Sequence, residues 1–274
     1  MTSVFSVVKK ITMTDILYET KDQIAIITFN RPDVLNVFRR SMFQTLLDLF
    51  ERIERDDSIR VILLTGAGRA FSAGIDLDEV SHLFDGAMTM EQARAELNEM
   101  QELTRRMVSL PKPIISAING VAVGVGAEVA ISSDIRIASQ MASFEFAEVK
   151  RGLFETNGVM HRLPRLIGMG RAAQVMLTGE KISAQQALDM GLVTRVLPTE
   201  MLMREALEMA KALAANAPIS MRLVKQVLHK SYDLDLEAVM QLETEGTLEC
   251  IASEDLREGV TAFLEKRTPI YKGK

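Results

Sequence analysis

The sequence predicts an α/β fold with a helical C-terminal region. Strand-like and helix-like segments alternate through the first two thirds of the chain, the remainder is almost wholly helical in pattern, and turn residues separate the segments. Alternation of this kind is typical of a sheet covered by helices. With 274 residues, the chain is long enough for a substantial core, as one large domain or as two small ones.

The first predicted elements are a hairpin, a helix and a buried strand. Residues 16–29 contain two short β-branched runs separated by a polar turn, which predicts the hairpin. Residues 40–55 place apolar side chains at helical spacing, and residues 60–66 form a short apolar run that is typical of a buried strand. We expect residues 1–14 to be an N-terminal extension that precedes the fold.

The middle of the chain continues the alternation. A helix over about 90–108 is stopped by two prolines, and a strand at 114–118 follows. A helix of small residues is predicted over about 125–132, and a strand over 134–138.

The last third predicts helices, from about residue 183 to 266. Ser183 is a candidate N-cap and Gly191 a candidate helix stop. We therefore divide the chain after the extension into an α/β core, 15–200, and a helical C-terminal region, 201–274.

Composition excludes several classes of protein. The formal net charge of −5 and the lack of a basic stripe disfavour a nucleic-acid partner. The single cysteine, Cys250, allows no disulfide framework and suits a reducing compartment, so we expect a cytoplasmic protein. His82, His161 and His229 show no metal-ligand spacing, so no metal site is predicted. Without an apolar run of about 18 residues, no membrane association is expected.

The first segment with functional character is 66–76, where a strand runs into a loop of small residues. Such a loop lets a ligand approach the backbone closely. A dinucleotide-binding turn is rejected, because Phe71 stands where the third glycine of that fingerprint belongs. An ordinary tight turn remains the structural alternative.

Two further segments each carry a glutamate. In 119–128, glycines at a helix start leave N–H groups free to face an anion, with Glu128 in the first turn. In 143–153, Glu148 lies between apolar neighbours. The alternatives are a solvated glutamate at a packed helix start, and a surface glutamate paired with the lysine or arginine that follows it.

In this order, the three segments resemble the crotonase (enoyl-CoA hydratase/isomerase) superfamily. The matching motifs lie at 70–76, 112–128 and 144–152, and the resemblance runs from about residue 15 to the end. Each motif is weak alone, whereas the ordered set is specific. The resemblance implies a crotonase-like spiral of ββα units and a helical C-terminal region that packs between subunits, as a homotrimer or a dimer of trimers.

The resemblance also implies a reaction, the hydration of 2-enoyl-CoA thioesters to 3-hydroxyacyl-CoA. Glu128 and Glu148 match both glutamates of hydratase-competent members, and the backbone N–H groups of Ala73 and Val125 match the oxyanion hole. The apolar neighbours of Glu148 suggest a raised pKa and the acid role, while Glu128 at a helix start should stay ionised as the base. Both glutamates sharing one water is the alternative.

Coenzyme A is expected only as part of the substrate, with no redox cofactor and no metal. Its phosphates need cationic groups, of which Arg31 and Lys266 are candidates, although Lys266 also reads as a plain helix-end charge. The acyl-CoA-binding positions implied by the resemblance and by these charges are Arg31, Ala70, Ser72, Ala73, Gly74, Ile75, Asp76, Gly124, Phe263 and Lys266.

Two departures from the superfamily pattern concern the site. Val125 replaces the middle glycine of a G-G-G motif, which keeps the amide but narrows the site. Residues 152–158 replace a Gly-Leu-x-Pro motif and contain Glu155. Glu155 is either a third active-site carboxylate or a solvated loop charge, and we expect the loop charge.

Other functions remain open at the level of sequence. The runner-up is a 3,2-enoyl-CoA isomerase or another enolate-stabilising acyl-CoA enzyme of the superfamily. A non-catalytic binding or scaffold protein is disfavoured by the presence of both glutamates. A serine peptidase on the same fold is disfavoured because no serine–histidine pair is suggested by any motif.

Overall fold

The computed structural model of the chain describes residues 9–81 and 88–274. Two of the expectations fall on residues outside these ranges, namely the first eight residues of the N-terminal extension and His82. Within the described ranges the protein has the expected α/β class, with parallel strands, covering helices and a helical C-terminal region.

The strands form two sheets. They are β1 (Lys9–Met13), β2 (Ile16–Lys21), β3 (Ile24–Phe29), β4 (Val61–Gly66), β5 (Ala70–Ser72), β6 (Ile114–Ile118), β7 (Val121–Val123), β8 (Ile135–Ser139), β9 (Ser143–Glu145), β10 (Ile182–Ser183) and β11 (Arg195–Leu197). The larger sheet has the order β1-β2-β3-β4-β6-β8-β11 and the smaller one the order β10-β9-β7-β5.

From β4 to β9, consecutive strands alternate between the two sheets. The larger sheet is antiparallel from β1 to β3 and parallel from β3 to β11, while β5, β7 and β9 are parallel neighbours in the smaller sheet. The pairs β4–β5, β6–β7 and β8–β9 each place one strand in each sheet. The chain thus winds three times around the same axis, which is the expected spiral.

The helices of the described residues surround these sheets. They are α1 (Arg40–Arg55), α2 (Leu77–Val80), α3 (Met90–Ser109), α4 (Val125–Ser132), α5 (Val159–Ile167), α6 (Met169–Thr178), α7 (Ala184–Asp189), α8 (Thr199–Ala214), α9 (Pro218–Lys230), α10 (Leu236–Ala252) and α11 (Glu254–Glu265). Ser183 caps α7 as expected, and Gly191 follows that helix with a φ of +83°.

Three differences from the sequence-based expectations concern boundaries. Residues 9–13, expected in the extension, form β1 and pair with β2. Strand β11 interrupts the region expected to be almost wholly helical. The boundary expected between residues 200 and 201 falls inside α8, whose buried face (Leu202, Ala206, Ala210 and Ala214) packs against the larger sheet. This helix therefore belongs to the core.

An aromatic cluster holds the loop after β5. The Phe29 ring contacts Phe38 and Phe71 edge-to-face, with centroid distances of 4.9 Å and 5.2 Å. All three rings are fully buried. Edge-to-face pairs of this kind stabilise a core by about 0.5–1.5 kcal/mol beyond burial. The cluster thus fixes the backbone that leads into residues 73–76.

None of the helices in the described part of the chain combines the length and the hydrophobicity that crossing a bilayer requires.

Candidate active site

The three motif segments meet at one edge of the smaller sheet. Strands β5, β7 and β9 are parallel neighbours, with Ala70 opposite Val121 and Val123 opposite Glu145. The carboxyl ends of parallel strands lie at the same edge, so the segments that follow these strands are adjacent in space. Ligand sites in α/β proteins commonly form at such strand ends.

Glycines allow this close approach. A Cβ atom on Gly126 would lie 2.3 Å from the Ser72 carbonyl oxygen, so the start of α4 rests directly against the end of β5. Gly124 has a φ of +48°, and its N–H donates to the Glu145 carbonyl over 2.9 Å. A Cβ atom on Gly124 would lie 2.6 Å from Glu148 Oε1. The Glu148 carboxylate therefore lies directly over the turn that begins α4.

Glu128 projects from the first turn of α4 into the interior. It is 1% exposed, so the solvated-glutamate alternative is wrong. Asn157 Nδ2 donates to Glu128 Oε2 over 2.6 Å, and the Thr156 N–H donates to Oε1 over 3.3 Å. Burial outweighs these donors and raises the pKa of Glu128 to about 7. The expectation that the helix start alone keeps Glu128 fully ionised is thus corrected.

Glu148 begins a short 3-10 turn after β9, and its surroundings do not support a surface ion pair. Lys150 Nζ pairs with Glu145 at 3.3 Å, and Arg151 donates to the Ala147 carbonyl. Glu148 Oε2 is buried and has no hydrogen-bond partner among the described residues. The structure thus brings Glu148 to the site, as the sequence predicted.

Glu155 completes a cluster of three carboxylates, and the expectation of a solvated loop charge is wrong. One oxygen each of Glu128, Glu148 and Glu155 lies within 4.8 Å of the others, and both Glu155 oxygens are buried. Burial, the adjacent Glu148 carboxyl group and the charge of Glu128 raise the pKa of Glu155 to about 9. The loop turns back over the site because Gly152 has a φ of +71° and the Leu153 N–H donates to the Glu148 carbonyl.

Asn157 is a site residue that sequence reasoning missed. It is 4% exposed, has a φ of +50°, and binds Glu128 through its side-chain amide. Its Oδ1 has no hydrogen-bond partner in the described part of the chain. The only sequence signal was its place before Gly158, which indicates a turn and nothing about a buried contact.

The backbone donors differ from the prediction at one of two positions. The Val125 N–H is the first of α4, where no intrahelical acceptor exists, so it remains a candidate. The Ala73 N–H donates to the Leu35 carbonyl over 2.9 Å, and it is therefore not free to bind an oxyanion. The Phe38 N–H donates to the Gly74 carbonyl, and the Asp76 N–H donates to the Phe38 carbonyl.

The Ile75 N–H takes the place predicted for Ala73. Because Ile75 lies between the two residues that bond to Phe38, its own N–H faces the opposite side, as alternate amides do in a bridge. No acceptor for it exists among residues 9–81 and 88–274. The candidate oxyanion hole is therefore formed by Ile75 and Val125.

The other predicted acyl-CoA contacts have different settings. Arg31, largely buried, pairs with Asp76 at 3.0 Å and donates to the Val37 carbonyl, which ties the loop together. Ala70 and Ser72 are fully buried in β5. These roles are structural, and direct contact of these residues with a coenzyme stays a prediction.

Three more of these positions, Gly74, Phe263 and Lys266, also remain predictions as coenzyme contacts. Gly74 has a φ of +109° and packs on the Val123 carbonyl. Phe263 is 82% exposed on α11, and Lys266 ends that helix.

The carboxylate cluster is also the group of residues that could hold a cation. Glu128, Glu148 and Glu155 together offer three oxygens at mutual distances compatible with a divalent ion. The expectation of a metal-free site stays a prediction.

Comparisons with known proteins agree on the family. The family model of enoyl-CoA hydratase/isomerase matches residues 19–274. The chain is 36% identical to the short-chain-enoyl-CoA hydratase of Clostridium acetobutylicum, over 93% of this chain and 96% of that protein. It is 38% identical to the 1,2-epoxyphenylacetyl-CoA isomerase of Escherichia coli, over 94% and 98% of the two chains.

A solved structure extends this agreement to the fold. The enoyl-CoA hydratase of Bacillus anthracis superposes with a TM-score of 0.87 at 36% identity, over 97% of this chain and 99% of that one. The chain belongs to the enoyl-CoA hydratase/isomerase family, and its fold is that of the crotonase superfamily.

Proposed function

We propose that the protein hydrates 2-enoyl-CoA thioesters to 3-hydroxyacyl-CoA. The observation that carries this proposal is the meeting of two carboxylates, Glu128 and Glu148, beside a helix-start amide with no intrahelical acceptor, that of Val125. Hydration of a conjugated thioester needs this combination. A base must activate water, an acid must protonate Cα, and N–H donors must hold the oxygen that becomes negative.

The oxyanion hole supplies the electrostatic part of the reaction. The thioester carbonyl is placed between the N–H groups of Ile75 and Val125, where its oxygen gains negative charge as water adds to Cβ. Preorganised donors at such a position stabilise the transition state by roughly 3 kcal/mol each. The low polarity of the surrounding buried residues increases the effect.

Glu128 is assigned the base. Both of its oxygens accept N–H donors, a setting that supports the ionised form, and its pKa of about 7 makes it half ionised at neutral pH. A base is most effective when its pKa lies near the working pH. Glu148 is then the group that delivers a proton to Cα.

The test is a pair of amide substitutions. Glu128→Gln and Glu148→Gln should each lower the kcat of crotonyl-CoA hydration by at least about a hundredfold, because each removes one proton-transfer group. Binding of a saturated acyl-CoA should stay within about threefold, since the coenzyme contacts are unchanged. Glu145→Gln, which disturbs only the surface pair with Lys150, is the matched control.

Isomerisation of a 3-enoyl-CoA is the second candidate function. It is favoured by the similarity to a protein named an isomerase, and because one carboxylate is sufficient to move a proton between two carbons. The same variants separate the two functions. If one glutamine variant keeps near-normal activity while the wild type isomerises 3-enoyl-CoA faster than it hydrates crotonyl-CoA, the hydratase proposal is wrong.

The remaining expectations accompany this proposal. The substrate is an acyl-CoA, with coenzyme A as part of the substrate and no separate cofactor. The protein assembles as a homotrimer or a dimer of trimers. It acts in the cytoplasm, where reducing conditions suit its single free cysteine, Cys250.

A further inference from the structure

Three buried oxygen atoms in the carboxylate cluster have no donor. These are both carboxyl oxygens of Glu155 and the Oε2 atom of Glu148, within the residues that the structure describes. An ionised carboxylate that is buried without donors is strongly destabilised. Two such groups in contact also repel each other. A single proton held between the two carboxyl groups removes both costs, since it neutralises one group and supplies the missing hydrogen bond.

Among the residues that the structure describes, no neighbouring basic group offers another solution. The nearest basic residues in the chain, Lys150 and Arg151, are bound to Glu145 and to the Ala147 carbonyl. The charged groups that act on Glu155 are Glu148 and Glu128, both acidic.

Glu128 has donors of its own, which sets it apart from the other two carboxyl groups. One of them is Asn157, a residue that is 96% buried and directed into the cluster. The proton therefore belongs between Glu148 and Glu155.

We propose that Glu148 and Glu155 share one proton and together form the acid of the reaction, with Glu155 keeping that proton on the pair at neutral pH. This inference rests on the proposed hydration and adds a catalytic partner from a loop that departs from the superfamily pattern. Pairs of carboxyl groups that share a proton are a known way of keeping an acid available.

The proton balance of the step is complete with water alone. Glu128 takes one proton from water as the hydroxyl oxygen bonds to Cβ, and the electrons of the C=C bond move toward Cα. The shared proton leaves the pair through Glu148, which lies over the Gly124 turn, and forms the new C–H bond at Cα. Transfer of the proton from Glu128 back to the pair restores the starting state.

The pair predicts an alkaline limit of activity. Burial and the adjacent carboxylates raise the pKa of Glu155 to about 9. Below this pH the proton stays on the pair and hydration proceeds. Above it the proton is lost, the acid is missing, and kcat falls.

The first experiment compares Glu155→Gln with the control Glu145→Gln across pH. A glutamine at 155 donates an N–H to Glu148 and so stabilises its ionised form. We expect kcat at pH 8 to fall about tenfold because the alkaline limb moves down by about two pH units, while KM changes less than about threefold. The control variant Glu145→Gln should keep the pH dependence of kcat that the wild type shows. If Glu155→Gln leaves the limb unmoved, the inference is wrong.

The second experiment detects the shared proton directly and needs no assay of turnover. Infrared spectra of Glu128→Gln should show the C=O stretch of a neutral carboxylic acid at pH 7, and its intensity should fall at alkaline pH. The midpoint should lie below about pH 9, because the Glu128 charge that helps to raise the pKa of Glu155 is removed. The band should be missing in Glu128→Gln/Glu155→Gln. The titration is made on a variant that keeps Glu155. A folding defect in the double variant would therefore not prevent the test.

Together, the two experiments distinguish a failure of the proposed hydration from a failure of the shared proton. If Glu128→Gln shows the infrared band but the wild type does not hydrate crotonyl-CoA, the proposed function and the catalytic use of the pair are overturned, while the shared proton stands. If the wild type hydrates crotonyl-CoA but Glu128→Gln lacks the band, the shared proton is overturned. Stimulation by Mg²⁺ or Mn²⁺ together with loss of the band would mean that a cation, rather than a proton, joins Glu148 and Glu155.

Discussion

Two opposing effects determine the pKa of Glu128. Burial favours its neutral form, whereas the donors from Asn157 and Thr156 favour its ionised form, and the pKa settles at about 7. The unfolded chain exposes the same carboxyl to water, where its pKa is 4.5. The folded protein therefore holds a proton at this position, between pH 4.5 and 7, that the unfolded chain releases.

This difference predicts a stability cost at neutral pH. Because the folded-state pKa is raised, the destabilisation by Glu128 grows as pH rises from about 4.5 to about 7 and is constant above. Glu128→Gln lacks this titration. Relative to the wild type, its free energy of unfolding should rise by up to roughly 3 kcal/mol between pH 5 and pH 8. Asn157 can rotate its unpaired Oδ1 toward the new amide.

Urea unfolding of both proteins at pH 5 and pH 8 measures this difference. Glu145→Gln serves as the control, since Glu145 is a surface carboxylate paired with Lys150. An equal stability difference at the two pH values would contradict the raised pKa of Glu128. A variant that is more stable and nearly inactive would show that the site is maintained at a cost in stability.

At the scale of elements, the turn between β7 and α4 determines where Glu148 lies. Gly124 forms this turn with a φ of +48°, and the Glu148 carboxylate lies in the space that a Cβ on this residue would take. Gly124→Ala should displace that carboxylate, because the added Cβ would come within 2.6 Å of Oε1. We expect kcat to fall at least about tenfold, with a stability loss of roughly 1 kcal/mol from the positive φ.

Gly168→Ala is the matched control for this prediction. Gly168, between α5 and α6, also has a positive φ, +82°, but a Cβ there meets no atom within 4 Å. Both variants should lose similar stability in thermal unfolding, and only Gly124→Ala should lose activity. If the two variants were equally active, the contact between Gly124 and Glu148 would have no catalytic importance.

The elements that sequence predicted are the long ones. The hairpin, α1, α3 and the strands β4, β6 and β8 lie where apolar periodicity placed them. The three-residue strands β5, β7 and β9 were not predicted, because so short a segment becomes a strand only through its partners. Since these strands build the edge that carries the site, the local pattern predicted the site's residues better than its geometry.

In the site too, the sequence predicted which residues take part better than how they are arranged. Motif spacing identified Glu128 and Glu148, which the structure brings together. It assigned the wrong amide at Ala73, because the direction of that N–H depends on Leu35, a residue far from the motif. It also missed the burial of Glu155, which depends on how the loop after Gly152 folds back on Glu148. Contacts between distant segments decided each of these cases.

At the scale of the whole molecule, the C-terminal helices leave a large apolar surface uncovered. Helix α8 buries one face on the larger sheet, whereas α10 has no buried residue. Exposed large apolar side chains on α10 and α11 include Leu236, Met240, Leu248, Ile251, Val260, Phe263 and Leu264. Monomeric proteins rarely expose so many neighbouring apolar side chains, and such surfaces mark interfaces between proteins.

Assembly through these helices is the last prediction. In analytical ultracentrifugation at micromolar concentration, we expect a species of about three times the 30.4 kDa monomer mass, or its dimer. Met240→Glu/Leu248→Glu should shift the protein toward the monomer, because two charges would then be buried at the interface. Met141→Glu, a change at an apolar residue that is 69% exposed in the turn between β8 and β9, is the control and should keep the wild-type mass. A wild type that sediments as a stable monomer would show that these helices have another role.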